Sequence, residues 1–302
     1  MSKKAYTLND RKKGFQKVEP YIWIAPSIIL MSIFIIVPIF TVFRMAFSDV
    51  SRTGKVRDLN GVANFVEVLS NSDFPGVLKN TLVWTVAVVG LSTVLGFILA
   101  LLLNNKFKGR KIARAIVVFP WATTLVIQAS VWNFIINKDY GTLNTLLKTL
   151  GIISTNINWT PTPAAYFAWE IGCGIFVTIP FVCFTVLSGL QSISSSYYEA
   201  STVDGANYWQ KLFHVTLPLV KPSLTVATVL NIIYVFNSFP IVWTMTKGDP
   251  AYKTDTLVTY LYKLAFYNGK QGEAAAVSVI GFLILLVCAS VYMISTLKKG
   301  DE

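Results

Sequence analysis

Residues 199–218 read EASTVDGANYWQKLFHVTLP and separate two long apolar runs of the chain. Glu199, the first residue of this stretch, and Ser196, three residues before it, have the spacing of a capping box. This spacing predicts a short helix that starts at Ser196. Asp204-Gly205 predicts a turn after that helix, because glycine adopts backbone conformations that other residues resist. The connection is therefore expected to be an ordered structure and not a simple linker.

The second half of the connection, Ala206–Phe213, predicts another short helix, and Leu217-Pro218 is expected to end it. Trp209, Leu212 and Phe213 recur at i, i+3 and i+4 and form an apolar stripe on this helix. Such a stripe suits docking into a groove of a partner protein. It equally suits an amphipathic loop that rests on lipid headgroups, and the residues alone leave both interpretations open.

The composition around this connection is that of a polytopic membrane protein. The chain has 302 residues, of which 54% are hydrophobic and only 14% are charged. Soluble domains carry about 25% charged residues. The formal net charge of +11 is expected to set membrane topology and not to bind nucleic acid.

Six charge-poor segments are long enough to cross a bilayer, which requires about 20 apolar residues each. We therefore predict an all-α polytopic membrane protein with six transmembrane helices. The first helix is followed by a transmembrane core that starts at residue 80 and contains the other five. The predicted helices are 21–46, 80–104, 113–136, 164–189, 221–245 and 274–297.

The distribution of Lys and Arg predicts the orientation of these helices. A cytoplasmic N-terminus places 15 of the 26 basic residues inside, five of them within 106–114. This orientation makes 1–20 a basic cytoplasmic tail and 298–302 a cytoplasmic C-terminus. The loop 47–79 is then extracytoplasmic, the connection 190–220 lies on the cytoplasmic side, and the protein is a multi-pass component of the plasma or bacterial inner membrane.

The sequence carries no recognisable catalytic or metal-binding constellation. Its three cysteines, Cys173, Cys183 and Cys288, lie in apolar stretches and are expected to be buried, and its one histidine is His214. No G-x-x-x-x-G-K-[ST] loop is present, so the chain has no such loop to hold ATP phosphates. We expect no catalytic residue, no metal site and no cofactor in this chain.

Residues 199–218 resemble the EAA loop of ABC importer permeases. That loop reads E-A-A, three residues, Gly, nine residues and I-x-L-P, and here Ser201 replaces the second Ala and Val215 replaces Ile. The wider chain resembles carbohydrate permeases of the maltose-permease type. The further matching segments are Asn80-Thr81-Leu82, Phe119-Pro120-Trp121, 140–144 (YGTLN), 236–240 (FNSFP) and 246–250 (TKGDP).

The resemblance implies a type I ABC importer fold, in which six helices form half of the pathway for a sugar or oligosaccharide. It also implies a second homologous permease subunit, two cytoplasmic ABC ATPase subunits that bind ATP and Mg, and an extracytoplasmic solute-binding protein. The EAA loop would seat in a cleft of the ATPase and transmit its closure. The residues carried over to that contact are Glu199, Ala200, Asp204, Gly205, Trp209, Phe213 and Pro218.

A sugar pathway needs hydrogen-bonding and aromatic side chains within the spans. Asn231, Tyr234 and Ser238 recur at i, i+3 and i+7 of the fifth predicted helix and would share one face. The other candidates are Asn237 in that helix and Thr178 and Phe181 around Pro180 in the fourth. Amides within spans also join helices to one another, and this alternative stays open. Glu170 is expected to extend outward to water or to contact the solute at the mouth of the pathway.

Other functions fit the sequence less well. An ABC permease for another small polar solute is the first alternative, although a cationic solute would need more acidic residues than Glu170 in the spans. An ion-coupled secondary transporter would leave the EAA-like loop unexplained. An intramembrane enzyme would need a paired catalytic constellation, and the predicted spans contain no Asp and no His.

Overall fold

The computed structural model describes residues 20–21 and 23–298. The predicted cytoplasmic tail 1–20 lies outside the described residues except for Pro20, and the predicted C-terminus 298–302 lies outside them except for Lys298. Both assignments therefore stay predictions.

The described chain is almost entirely helical, with one short β-hairpin. In chain order the elements are α1 (Trp23–Ala46), β1 (Ser48–Val50), β2 (Val56–Leu59), α2 (Ala63–Ser70), α3 (Phe74–Asn104), α4 (Arg110–Val118), α5 (Leu125–Ile135), α6 (Thr142–Thr149), α7 (Pro163–Ser192), α8 (Ser195–Val203), α9 (Tyr208–Lys211), α10 (Leu217–Phe236), α11 (Pro240–Met245), α12 (Leu257–Tyr262) and α13 (Gln271–Lys298). Five helical runs are long and apolar enough to cross a membrane, and a bent pair gives a sixth candidate.

The third predicted span, 113–136, is not one straight helix. The runs Arg110–Ala122 and Leu125–Ile135 meet at an angle of 98°. Pro120 lies in a 3₁₀ turn at the end of the first run and cannot donate a backbone hydrogen bond. The Thr124 hydroxyl caps the second run by accepting a hydrogen bond from the Ile127 amide at 3.4 Å. The apolar composition of the segment gave no sign of this break.

The second and fifth predicted spans also have different limits. Helix α3 begins at Phe74 and not at residue 80, because Pro75 suits a first helical turn and the exposed Lys79 interrupts the apolar run without ending the helix. The fifth span is helical on both sides of a break at 237–239, between α10 and α11.

The expected helix end at Leu217-Pro218 is wrong. A π-turn over Leu212–Thr216 joins α9 to α10 without interruption, and the Leu217 amide donates to the Leu212 carbonyl. Pro218 falls in the first turn of α10, where its missing amide hydrogen is tolerated. The chain is therefore continuously helical from Tyr208 to Phe236.

Helices α3, α7 and α10 form the centre of the bundle. Trp84 of α3 is 1% exposed, and its indole Nε1 donates to the Val235 carbonyl of α10 at 2.9 Å. Gly174 of α7 faces the Trp84 ring. Cys173 and Cys183 are buried in α7 as predicted, whereas Cys288 is exposed on α13, so its expected burial is wrong.

Gly189 permits the close approach of α7 to α10, and its replacement by alanine is expected to destabilise the bundle. A Cβ at this position would overlap the Ser223 side chain. Overpacking of this kind costs about 1–3 kcal/mol, which thermal unfolding of the purified protein in nanodiscs would measure. Gly90→Ala is the matched control, because a Cβ there meets no atom within 4 Å. Equal melting temperatures for the two variants would contradict the prediction.

The hairpin β1–β2 marks one end of the bundle, which we call the hairpin end. Asn64 of α2 secures the hairpin to α1, since its Nδ2 donates to the Ala46 carbonyl at 3.0 Å and to the Ser48 carbonyl at 2.8 Å. The loop between α11 and α12 lies at the same end, where the Asn80 Nδ2 donates to the Lys253 carbonyl at 2.9 Å. Residues 195–216 follow the opposite end of α7, and we call them the 195–216 segment.

Candidate functional site

The first helix of the 195–216 segment starts differently from the prediction. Its N-cap is Ser194, whose hydroxyl accepts from the Ser196 amide at 3.4 Å, so the expected capping box of Ser196 and Glu199 is wrong. Three consecutive serines lie at the helix start, and spacing alone could not identify the capping one. A capping box is instead present in α9, where the side chains of Asn207 and Gln210 bond reciprocally to each other's amides at 2.8–2.9 Å.

The turn at Gly205 lies where the sequence predicted it. Gly205 has a φ of +77°, and its amide donates to the Thr202 carbonyl at 3.1 Å. The next amide, from Ala206, donates to the Ser201 carbonyl at 2.9 Å. A Cβ on Gly205 would meet no atom within 4 Å. Glycine is therefore required here by the backbone conformation and not by lack of space.

Polar contacts hold the two halves of the 195–216 segment together. The Tyr198 and Thr216 hydroxyls are 3.2 Å apart and link the two halves of the segment. Lys211 Nζ donates to the Thr202 hydroxyl at 2.8 Å. A cavity of about 160 Å³ lies between the segment and the end of α3. The segment is therefore a defined surface and not a free loop.

The outward face of the segment is apolar. Val203 is 88% exposed, and Trp209 and Phe213 are exposed with their rings stacked at a centroid distance of 6.2 Å. Leu212, the third member of the predicted stripe, is half-buried and lines the cavity beneath. All of the predicted contact residues are exposed, namely Glu199, Ala200, Asp204, Gly205, Trp209, Phe213 and Pro218. An apolar surface with two acidic residues beside it is suited to a protein partner.

Three of the six predicted pathway residues are buried inside the chain. Asn231 is 0% exposed, and its Nδ2 donates to the Ser92 hydroxyl of α3 at 2.9 Å. The Asn231 amide therefore joins two helices, which is the alternative to a role in the pathway. The Thr178 hydroxyl donates to the Gly174 carbonyl of its own helix at 2.8 Å. Ser238 is 6% exposed and lies beyond the end of α10, so the expected i, i+3, i+7 stripe is interrupted there.

The other three pathway candidates are more accessible. Tyr234 is 45% exposed on α10, and Asn237 is exposed at the break that follows. Asn237 also lines a cavity of about 280 Å³ together with residues of α12 and α13. Phe181 is half-buried and packs against the cluster between α3, α7 and α10. Tyr234 and Asn237 are therefore the polar candidates that remain available to a solute.

Glu170 neither extends outward nor contacts an open mouth, so both expectations for it are wrong. Its side chain is 0% exposed, and the Thr246 hydroxyl donates to Glu170 Oε1 at 2.6 Å. Thr246 in turn lies 2.7 Å from the Thr254 hydroxyl. The loop after α11 folds over the carboxylate and closes it off from solvent, which a residue count along α7 could not reveal.

A buried ion pair stabilises the same loop and was not predicted. Asp255 is 0% exposed, and Lys263 Nζ lies 2.8 Å from its Oδ2. Burial raises the pKa of the Asp255 carboxyl, and Lys263 opposes that rise. Gly248 has a φ of +80°, and a Cβ there would overlap the Asp255 carboxylate. No spacing rule links positions 255 and 263 across a helix start, so the sequence carried no usable signal.

A group of aromatic rings at the hairpin end was also not predicted. Trp243 of α11 contacts Tyr262 of α12 at a centroid distance of 4.7 Å, and Phe239 lies 4.8 Å from the same Tyr262 ring. The group lies at and directly after the break at 237–239, and its three rings are half-buried.

The chain is similar in sequence to known transport proteins. The family model described as "Binding-protein-dependent transport system inner membrane component" matches residues 92–297. A probable ABC transporter permease of Brucella suis is 48% identical over 274 residues, which cover 91% of this chain and 95% of that protein. The trehalose/maltose transport system permease protein MalF of Thermococcus litoralis is 33% identical, with 90% and 92% covered.

Another relative and a solved structure are also similar to this chain. The sulfoquinovosyl glycerol transport system permease protein SmoG of Agrobacterium fabrum is 31% identical over 89% of this chain and 87% of its own length. Among solved structures, a chain of a bacterial ABC transporter involved in the import of alginate aligns with a TM-score of 0.82. It is 23% identical and the alignment covers 96% of this chain and 99% of that chain, so it supports the same fold.

Proposed function

The chain belongs to the family of binding-protein-dependent transport system inner membrane components, and we propose that it forms half of the pathway of an ATP-driven importer for a sugar or oligosaccharide. Relatives named for the transport of trehalose/maltose, sulfoquinovosyl glycerol and diacetylchitobiose support this solute class. The scarcity of charged side chains within the spans agrees with a neutral, hydroxyl-rich solute.

The observation that carries the proposal is the exposed face of the 195–216 segment. An ordered apolar surface, rigidly joined to α7 and α10, is what a coupling element needs to receive movement from another protein. We propose that this face seats in a cleft of a cytoplasmic ABC ATPase, which binds ATP and Mg. A second homologous permease would complete the pathway, and an extracytoplasmic binding protein would deliver the solute.

This assignment orients the protein in the membrane. With the 195–216 segment on the cytoplasmic side, the hairpin end faces outward, and both termini are cytoplasmic. The bent pair α4–α5 then counts as the third of six spans. The cluster of five Lys and Arg residues in 106–114 lies on the cytoplasmic side in this arrangement, as the positive-inside rule requires.

For the pathway we propose a division of roles among the predicted residues. Tyr234 and Asn237 contact the solute, because Tyr234 is polar and accessible in the last turn of α10 and Asn237 is polar and accessible at the break that follows. Asn231 holds α3 beside α10 through Ser92, and Thr178 bonds to the backbone of its own helix, whereas the buried Ser238 hydroxyl has no hydrogen-bond partner among the described residues. Phe181 supports the region of α7 around Pro180.

Replacing Asn237 by leucine is expected to raise the KM for sugar uptake at least about fivefold and to leave the melting temperature unchanged. The amide is exposed, so its loss removes hydrogen bonds to the solute without leaving a buried group unpaired. Asn231→Leu is the matched variant, and it should instead lower stability by about 1 kcal/mol, because the Ser92 hydroxyl then loses the hydrogen bond that it accepts from Asn231 and keeps only its bond to the Val89 carbonyl. The same response in both variants would contradict the proposed division of roles.

The proposed function is tested by reconstitution. This chain would be combined in proteoliposomes with its second permease, ATPase and binding protein, and uptake of labelled trehalose, maltose and diacetylchitobiose would be followed with and without ATP. Labelled glutamine and putrescine serve as solutes of other classes. ATP-dependent accumulation of a sugar is the expected result. Accumulation of only a non-sugar solute, or uptake driven by an ion gradient without ATP, would overturn the proposal.

A further inference from the structure

Glu170 lies at the point where two helical arms from the 195–216 segment meet again. The first arm is α7, whose last residue, Ser192, lies just before the segment. From Glu170 to Ser192 the helix spans about 33 Å at about 1.5 Å per residue. Glu170 therefore lies about 33 Å along α7 from Ser192, the residue at which α7 meets the proposed coupling surface.

The second arm leaves the segment through the π-turn and continues as α10. After the break at 237–239 the chain resumes as α11, which ends at Met245, and Thr246 follows directly. The Thr246 hydroxyl donates to Glu170 Oε1 at 2.6 Å. At the other end, the Tyr198 and Thr216 hydroxyls join the two halves of the segment at 3.2 Å. The two arms are thus joined by hydrogen bonds at both ends, and α7 also approaches α10 closely at Gly189.

The Glu170–Thr246 hydrogen bond ties α7 to the first residue of the loop after α11, whereas α11 itself is held near α7 by the apolar cluster that contains Phe167, Val242 and Met245. Glu170 Oε2 is buried and has no hydrogen-bond partner among the described residues, so the carboxylate is held through Oε1 alone. Tyr166, one turn earlier on α7, also reaches α11, but its hydroxyl contacts both the Asn133 Oδ1 at 2.9 Å and the Met245 carbonyl at 3.0 Å. A phenol has one proton to donate, so this second link is divided between two acceptors.

The Glu170–Thr246 hydrogen bond also controls the loop that follows α11. Thr246 accepts a hydrogen bond from the Gly248 amide at 3.0 Å, and its hydroxyl lies 2.7 Å from that of Thr254. Lys247 and Tyr252 in this loop have positive φ values of 57° and 60°, which are unfavourable for residues other than glycine. Such a conformation persists only when its surroundings fix it. Without Glu170, the hydroxyl pair would bind only to its own loop.

We propose that Glu170 is a positioning residue that joins the outer end of α7 to the loop after α11, so that a displacement of the 195–216 segment reaches the loop 246–256. This inference rests on the proposed contact between the segment and an ATPase, but not on the identity of the solute. The displacement would pass along helix α7, through the buried hydrogen bond between Thr246 and Glu170, and into the loop that this bond holds in place.

Distance measurements between two spin labels test the Glu170–Thr246 hydrogen bond directly. Labels would be placed at Gln191→Cys, exposed at the inner end of α7, and at Lys247→Cys, exposed in the loop, in a Cys288→Ser background. The full complex in nanodiscs would be measured without nucleotide and after trapping with ATP, Mg and vanadate. We expect one narrow distance that is the same in both states, and a shifted or broadened distance in Glu170→Ala.

Conservative variants separate positioning from general damage. Glu170→Gln and Thr246→Ser keep an acceptor and a donor and should retain the narrow distance, whereas Thr246→Val should behave like Glu170→Ala. The double variant should equal Thr246→Val, because that variant already lacks the bond to Glu170 and in addition loses the contacts of the Thr246 hydroxyl with Gly248 and Thr254. Where Glu170→Ala does not fold, Thr246→Val leaves α7 intact and carries the same test.

Two results would overturn the proposal: an unchanged narrow distance in Glu170→Ala and Thr246→Val, or additive broadening in the double variant. A wild-type complex that hydrolyses ATP but accumulates none of the three sugars would contradict the proposed solute class alone. In that case the distances would still decide the role of Glu170. A wild-type complex in which the ATPase does not bind would instead contradict the proposed coupling surface.

Discussion

Replacing Gly205 by valine is expected to lower ATP-driven uptake on the order of tenfold or more while the helical bundle stays folded. Gly205 has a φ of +77° in the turn between α8 and α9. The left-handed region costs an L-residue about 1–2 kcal/mol, and a β-branched side chain is especially unfavourable there. Because about 1.4 kcal/mol is a factor of ten in an equilibrium constant, this cost would shift the segment by about that factor from the native turn toward other conformations.

The loss of the turn matters because it sets the angle between the two helices that present the coupling surface. The hydrogen bonds of Gly205 to Thr202 and of Ala206 to Ser201 close the turn, and Trp209 and Phe213 follow it on the exposed face. A Cβ at Gly205 meets no other atom within 4 Å, so the effect would come from the backbone and not from a clash with the bundle. The thermal stability of the spans should therefore change little.

Gly151→Val is the matched control for this prediction. Gly151 follows α6 and has a φ of +69°, and a Cβ there would likewise meet no atom within 4 Å. Both variants place a β-branched residue at a position with positive φ, and the two positions lie at opposite ends of the bundle. Uptake of labelled disaccharide and co-purification of the ATPase would be measured for both. Equal losses would show that the 195–216 segment has no special part in coupling.

The turn illustrates which features of this protein are encoded locally. Asp204-Gly205 within an E-A-S…V-T-L-P pattern specifies a turn at a defined distance from two helices, and those features depend on neighbouring residues alone. The existence of apolar spans is similarly local. The start of α8 after Ser194 was missed because three adjacent serines are equivalent as caps until the helix direction is known.

The features that were not predicted depend on contacts between distant residues. Glu170 was expected near water because its position was judged along one helix, whereas its burial results from a loop 76 positions away in sequence. The amide of Asn231 could have faced a pathway or another helix, and only the packing of α3 beside α10 brings Ser92 to it. The 98° bend between α4 and α5 depends on how Pro120 and Thr124 share a short break.

Replacing Lys263 by methionine is expected to destabilise the protein by about 3–5 kcal/mol, because it leaves a buried carboxylate without its counter-charge. Lys263 Nζ lies 2.8 Å from Asp255 Oδ2, and the Asp255 side chain is 0% exposed. The second carboxylate near Lys263, from Asp249, is 66% exposed and contributes little. Thermal unfolding in nanodiscs would measure the loss, and adding Asp255→Asn should recover much of it.

The loss should depend on pH in a defined direction. Burial already raises the pKa of Asp255, and removing Lys263 takes away the group that opposes this rise. A carboxyl whose pKa is raised by folding binds its proton more firmly in the folded state, so the stability falls as the pH rises through that pKa. Lys263→Met should therefore be more destabilised at about pH 8 than at about pH 5.

An exposed pair supplies the control that isolates burial. Arg57 and Asp49 lie 3.3 Å apart with side chains 60% and 55% exposed, so Arg57→Met should cost less than about 1 kcal/mol and show little pH dependence. A loss for Lys263→Met as small as that for Arg57→Met would contradict the buried pair. If the large loss is observed but Asp255→Asn does not relieve it, Lys263 would act through its contact with the Tyr252 ring, 4.7 Å away, and not through the carboxylate.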